Sequence, residues 1–283
     1  MFKSYCFHAS KTGPHILILG AVHGNETAGT FAQQEIIHQI ETGALSLKSG
    51  SVTFIPIVNE RAQRQDTRFV DENLNRIIKY HKTPLTNEQK IANLLIKEID
   101  KADVLLDLHS THCEKDEAFA FIDYPDEKNL SFLKIIPVQT ALAGWPLIYQ
   151  NNSEIENFCT EEYAHQKNIS ALTVECGYHK DKKAIEIAKQ SILNTLIYYG
   201  ILDDVSPTPI TKKIISLNSF IIKEKNGYLA NNFKHLDDIK KGDVLAVYET
   251  GEQLYAPVDG FIIMPNHKAN INEEWYYIGT KNL

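Results

Sequence analysis

An apolar run that stops at a glycine and is followed by His-Gly-Asn-Glu constrains this chain more than any other feature. His15-Ile16-Leu17-Ile18-Leu19 reads as a buried strand, and Thr27-Ala28-Gly29-Thr30-Phe31-Ala32 reads as the first turns of a helix. His23 and Glu26 lie between them, three residues apart, at the strand-to-helix junction. The strand end fixes the direction of each side chain, so both can point at one metal ion. Gly20 and Gly24 remove Cβ bulk where the backbone turns and where a ligand needs room. A catalytic zinc needs three protein ligands and one open position, and two histidines with a glutamate are one of its standard sets.

The second histidine is expected at His109. It ends another apolar run, Ala102-Asp103-Val104-Leu105-Leu106-Asp107-Leu108, just before Ser110 and Thr111. In an open α/β sheet, ligands collect at the carboxyl ends of strands. Two strands ending in His23/Glu26 and His109 therefore converge on one point. Asp107 shares the strand face of His109 and is placed to orient or screen the site. His112 is the rival ligand, in a loop whose direction the sequence does not fix. His8, His15, His38, His81, His165, His179, His235 and His267 are read as structural or surface. Taken singly, a His-x-x-Glu pair is common by chance, and a lone strand histidine is more often a hydrogen-bonded core residue.

Along the chain, apolar β-rich runs alternate with helical patterns, which implies an α/β sandwich. Strands are expected at 51–58, 103–109, 119–124, 146–149 and 169–174, with Pro56 an objection to a central place for the first. Thr86-x-x-Gln89 opens a helix to Asp100 as a capping box. Asp181 caps a helix that Gly200 stops. Asp203 to Pro209 reads as a linker. From about 212 the pattern changes to short strands with Gly and Asn turns. The expected organisation is a catalytic α/β domain at 1–202 and a small all-β domain at 212–283.

At 283 residues the chain can bury a large core, and no apolar stretch approaches a membrane span of roughly 20 residues. A net charge of −7 argues against nucleic acid as a partner. Four cysteines without a CxxC fit reduced thiols in a cytoplasm, and the N-terminus carries no apolar signal segment. The sequence leaves a homo-oligomer open.

Two more segments carry chemistry. Asn59 to Arg76 is a polar loop with four arginines (Arg61, Arg64, Arg68, Arg76) in an acidic chain. Such a loop is usually a solvated face, but beside a metal its guanidinium forks are natural clamps for carboxylates. Glu175 closes the apolar run Thr173-Val174, where burying a carboxylate is costly unless it has a partner or a task. It reads either as an arginine-paired glutamate or as a general base beside the metal.

Together, His23-Gly24-Asn25-Glu26, the stretch from Asp66 to Arg76, Asp107-Leu108-His109-Ser110 and Val174-Glu175-Cys176-Gly177 resemble the succinylglutamate desuccinylase/aspartoacylase family, a branch of the zinc carboxypeptidase-like hydrolases. The resemblance implies a zinc-carboxypeptidase-like three-layer α/β/α sandwich with a small C-terminal all-β domain. It implies one zinc on His23, Glu26 and His109, with Glu175 as general base and acid. Arg68 would polarise the scissile carbonyl, Asn75 and Arg76 would hold a substrate carboxylate, and Tyr277 would reach into the pocket. The implied activity is deacylation of a small-molecule N-acyl amino acid. The alternatives are a metallocarboxypeptidase of short peptides and a non-catalytic member of the fold. Three places depart from the family pattern. Aspartoacylases carry Asn-Met-Gly shortly after the second zinc histidine, where this chain has Glu114-Lys115-Asp116. Asn73 stands where the family usually has Asp, and His165 stands where aspartoacylases have an arginine. The segment Gly242 to Gly260 resembles a lipoyl-type β sandwich, but Glu252 occupies the position of the modified lysine. The domain is therefore read as structural or as a lid.

Overall fold

Strands buried on both faces must lie inside a layered molecule, and the central strands here are of that kind. The computed structural model describes residues 1–112, 114, 116–150 and 158–281. Its first part runs β1 (Tyr5–His8), β2 (His15–Gly20), α1 (Ala28–Glu41), β3 (Ser51–Ile55), α2 (Glu60–Arg64), α3 (Asn87–Ile99) and β4 (Val104–Thr111). It continues with β5 (Phe119–Phe121), α4 (Glu127–Ile135), β6 (Thr140–Ala143), α5 (Trp145–Gln150), α6 (Thr160–Gln166), β7 (Ser170–Tyr178) and α7 (Lys182–Tyr198). Strands β3, β2, β4 and β7 are neighbours in that order and all parallel.

Side-chain alternation along these strands feeds two cores. Ile16 and Ile18 pack with Leu106, with Ala28 and Ile36 of α1 and with Ala188 and Ile192 of α7. Leu17 and Leu19 face the other way, onto Ile91 and Leu95 of α3 and Ala164 of α6. Helices on both faces make the three-layer α/β/α arrangement. The helix caps follow the sequence. Thr86 accepts from the Gln89 amide, and Asp181 accepts from the Lys183 amide.

The remaining strands are β8 (Lys213–Ile222), β9 (Gly227–Leu229), β10 (Asp237–Ile239), β11 (Val244–Tyr248), β12 (Gln253–Tyr255), β13 (Gly260–Ile263) and β14 (Glu274–Lys281). Strand β8 lies parallel to β6, so the main sheet does not stop at the linker. It runs on through β8, β14, β13 and β10, while β12, β11 and β9 form a small second sheet. Trp275 and Tyr276 of β14 anchor the core between them.

One expected strand is absent. Residues 146–149 belong to helix α5, and the strand of that region is β6, ending at Ala143. The reason is local. Gly144 adopts a φ of 93°, a left-handed turn that ends the strand. Pro146 then sits in the first turn of the helix, where its missing N–H costs nothing. The run Pro146-Leu147-Ile148-Tyr149 is apolar at a length where periodicity does not separate strand from helix. The strand expected at 51–58 ends at Ile55, just before Pro56, and the one at 119–124 ends at Phe121. Cys6, Cys159 and Cys176 are free thiols, and Cys113 lies outside the described residues.

Candidate active site

Strand register brings the chemistry together. In the parallel pair β4 and β7, His109 lies opposite Glu175 and Asp107 opposite Thr173. On the other side of β4, Leu19 pairs with Asp107 and Gly20 with Leu108. The chain leaving β2 therefore passes beside His109, and the turn carrying His23 and Glu26 meets it there. His23 Nδ1 stands 2.8 Å from Glu26 Oε1, and His109 Nδ1 stands 2.8 Å from Glu26 Oε2. The two ring nitrogens are 3.2 Å apart. All three residues are buried.

This donor set fits a zinc ion. Two donors of a tetrahedral zinc with bonds of 2.0–2.1 Å stand about 3.4 Å apart, close to the spacing here. The outer nitrogens are also held. His23 Nε2 donates to Asn73 Oδ1 at 3.0 Å. Asp107 Oδ2 lies 3.1 Å from His109 Nε2, near enough for an ion pair though not aligned as a hydrogen bond. Asp107 Oδ2 also accepts from the Thr160 hydroxyl at 2.6 Å. Such outer contacts fix the ring orientation of metal ligands.

The electrostatics agree. Burial pushes the His23 imidazole down to about 4, helped by the nearby charge of Arg68. Burial also opposes protonation of His109, but Asp107 and Glu26 outweigh it and hold that imidazole well above its usual value. Burial works against ionisation of Glu26 too, and His23 and His109 overcome it. Asp107 and Glu26 thus favour positive charge at His109, and the three donors together form a group that could hold a metal ion. Glu175 differs. Burial, reinforced by the charge of Glu26, pushes its carboxyl up to about 8. Its Oε2 is buried without a hydrogen-bond partner among the described residues. A carboxyl group free of structural bonds beside a metal-binding set is suited to proton transfer.

The arginine loop is ordered by a residue that drew no attention in the sequence. Glu88, buried in the first turn of α3, accepts from Asn59 Nδ2 at 2.8 Å and from the Val70 and Asp71 amides at 2.9 and 3.2 Å. Burial works against its ionisation, but these bonds keep its carboxyl below the ordinary range. The loop so tied puts Arg68 Nη1 2.7 Å from Glu26 Oε1. Arg61 is exposed and Arg64 has a side chain 76% exposed. Gly24 is needed for another reason than room for a ligand. A Cβ there would stand 2.2 Å from backbone atoms of Ala62 and Gln63, so the glycine lets α2 dock on the turn.

Arg76 ends a 3-10 turn, Leu74–Arg76, and packs against aromatic rings. Its guanidinium carbon lies 5.3 Å from the ring centroids of both Trp145 and Tyr149. Arg76 Nη2 is 3.5 Å from Glu274 Oε1. The Tyr149 hydroxyl donates to Glu274 Oε1 at 3.1 Å and shares a 2.7 Å hydrogen bond with the Tyr277 hydroxyl. Tyr277 stacks on Trp145 at 4.8 Å. Asn75 Oδ1 accepts from the Thr160 amide at 3.0 Å. Arg76 and Tyr277 therefore belong to one cluster with Glu274, Trp145 and Tyr149, which sequence reasoning missed, while the side chain of Asn75 is engaged by Thr160. The signal for Glu274 was its place three residues before Tyr277 in the same segment.

Three expectations resolve elsewhere. His112 is exposed and outside the His23, Glu26 and His109 group. His165 is exposed on α6, stacks on Tyr124 at 3.6 Å and is not part of the His23, Glu26 and His109 group. Glu252 pairs with Lys225 at 2.8 Å on the surface of the small sheet.

A profile of the succinylglutamate desuccinylase/aspartoacylase catalytic domain matches residues 12–198. Among curated relatives, a succinylglutamate desuccinylase of Pseudoalteromonas atlantica is 26% identical, over 93% of this chain and 80% of its own length. One from Vibrio vulnificus is 34% identical over 71% of this chain and 60% of its own. The product-bound ectoine utilization protein EutE (DoeB) of Ruegeria pomeroyi has a similar fold, with a TM-score of 0.79 at 20% identity, covering 98% of this chain and 88% of its own. A succinylglutamate desuccinylase/aspartoacylase of Rhodobacter sphaeroides superposes with a TM-score of 0.76 at 16% identity, over 96% and 87% of the two chains.

Proposed function

The chain belongs to the succinylglutamate desuccinylase/aspartoacylase family, and from that premise we propose that it is a zinc-dependent hydrolase of the amide bond of an N-acyl amino acid. The observation that carries the reading is the meeting of His23, Glu26 and His109 directly beside Glu175, which is in register with His109 on the next strand. When bound by these three residues, zinc supplies Lewis-acid polarisation and a water whose pKa lies at roughly 7.

The protein's own groups do the rest. Glu175 takes a proton from the attacking water and returns it to the leaving nitrogen. Its free Oε2 leaves the carboxyl unengaged for both steps. Arg68, beside Glu26, donates to the oxyanion that develops on the acyl carbonyl oxygen. Asp107 and Asn73 keep the two imidazoles in place. Asn75 and Arg76 hold a substrate carboxylate, and Tyr277 closes that end from β14. Residues 1–202 are the catalytic unit on this reading, and 212–283 cover it. The free thiols suit a cytoplasmic setting.

The test is a panel of acetyl, succinyl and formyl derivatives of Asp, Glu and other amino acids, with short peptides alongside and release of free amine measured. Hydrolysis of one acyl amino acid well above the peptides is expected. Preferential cleavage of peptides would replace the reading with a carboxypeptidase. Arg76→Ala should raise KM for the preferred substrate and flatten the preference for a carboxylate over its amide. Arg76→Lys should rescue only part, because an ammonium lacks the paired fork. Arg61→Ala and Arg64→Ala should stay near wild type.

A further inference from the structure

The guanidinium that the proposed function gives to a substrate carboxylate already faces a carboxylate of the chain itself. Glu274 Oε1 stands 3.5 Å from Arg76 Nη2. That contact is longer than a charge-assisted hydrogen bond of about 2.7–2.9 Å, and it uses one oxygen instead of the paired fork an arginine can offer. The pair is therefore loose. Both groups are reachable, with side chains 16% and 36% exposed.

Arg76 does not depend on Glu274 for its place. The rings of Trp145 and Tyr149 flank it, and its Nη1 donates to the Asn75 carbonyl at 3.1 Å. Glu274 is likewise held from the other side, by the Tyr149 hydroxyl. The arrangement is a fixed cation with a weakly paired anion leaning on it. A ligand carboxylate that forms two parallel bonds to the guanidinium outcompetes a single long contact. An amide or ester at the same position does not, because it lacks the charge to displace one carboxylate from another's partner.

We propose that Glu274 is a specificity-determining residue. Its carboxylate occupies Arg76 in the free protein, and a ligand carboxylate binds by taking its place. Glu274 thereby lowers affinity for every carboxylate ligand by competition and by like-charge repulsion. This rests on the reading of Arg76 as the carboxylate clamp.

The variant Glu274→Gln keeps the shape and an oxygen for Tyr149 while removing the charge. Glu274→Asp keeps the charge and withdraws it by one methylene. Succinate, glutarate and their diamides are titrated by calorimetry into the zinc-loaded wild type and both variants, with Arg76→Ala in each background. The Gln variant should bind the dicarboxylates about tenfold tighter than wild type, as removal of a nearby like charge implies. The Asp variant should fall between, and the diamides should not distinguish the proteins. Arg76→Ala should erase the gain. Unchanged or weaker dicarboxylate binding in both variants would overturn the proposal and leave Glu274 as a mere support for Arg76. Tighter binding in a protein that hydrolyses no acyl amino acid would keep this inference and remove the proposed reaction. Hydrolysis without the gain would do the reverse.

Discussion

His109→Ala should leave the protein folded, without stoichiometric zinc and without measurable turnover. His109 supplies one of three donors, and its Nδ1 meets Glu26 and His23 at 2.8 and 3.2 Å. Removing it leaves a two-ligand remnant, and the metal-binding group found among the described residues contains no further histidine. His112 is exposed and apart from the group. The loss also frees Asp107 and Glu26 from the imidazole that offsets their charge, so no cation-free rearrangement restores the site. The fold should survive, because the apolar cores on both faces of the sheet exclude the histidine. His23→Ala should behave alike. Elemental analysis with a far-ultraviolet spectrum checks both statements. Full zinc in folded His109→Ala would take His109 out of the site.

The second large effect is expected at Glu175. Glu175→Gln should keep zinc and stability while kcat falls by roughly 10²–10⁴-fold, the range for a positioned acid/base. The substitution is close to isosteric. The Oε2 atom it alters makes no hydrogen bond within the described residues, so little structure is lost. A structural glutamate would show the opposite pattern, with a lowered melting temperature and modest change in kcat. Near-normal turnover would assign proton transfer to another group.

The convergence of His23, Glu26 and His109 was legible because strand ends constrain direction. His23, Glu26 and His109 each sit at the end of an apolar run, and parallel neighbours must place those ends together. Glu175 was legible for the same reason, one strand further along. Asp107 was legible from the two-residue period that puts it on the face of His109. Residues contributed by distant segments were harder to see. Glu274 and Trp145 meet Arg76 only because β14 and α5 fold back onto the 3-10 turn, and no local period encodes that approach. Glu88 carries no signal in the sequence beyond that of a first-turn acid, since its task of tying Asn59, Val70 and Asp71 is set by a separate loop. Helix α5 was misread because a short apolar run carries no distinguishing period, although Gly144 and Pro146 held the punctuation. The continuity of the sheet from β6 into β8 was also hidden. A polar linker with prolines marks a change of pattern, but strands on either side of it can still pair.

The proposed amide hydrolysis depends on one zinc held by His23, Glu26 and His109. It is tested most directly by stripping the purified protein with a chelator, dialysing, and adding zinc back in fractional steps while following hydrolysis of the preferred acyl amino acid. Turnover should vanish in the stripped protein and return linearly, reaching a plateau at about one zinc per chain. Hydrolysis that persists after the metal is gone, or a protein that takes up one zinc and hydrolyses none of the panel, would contradict the account.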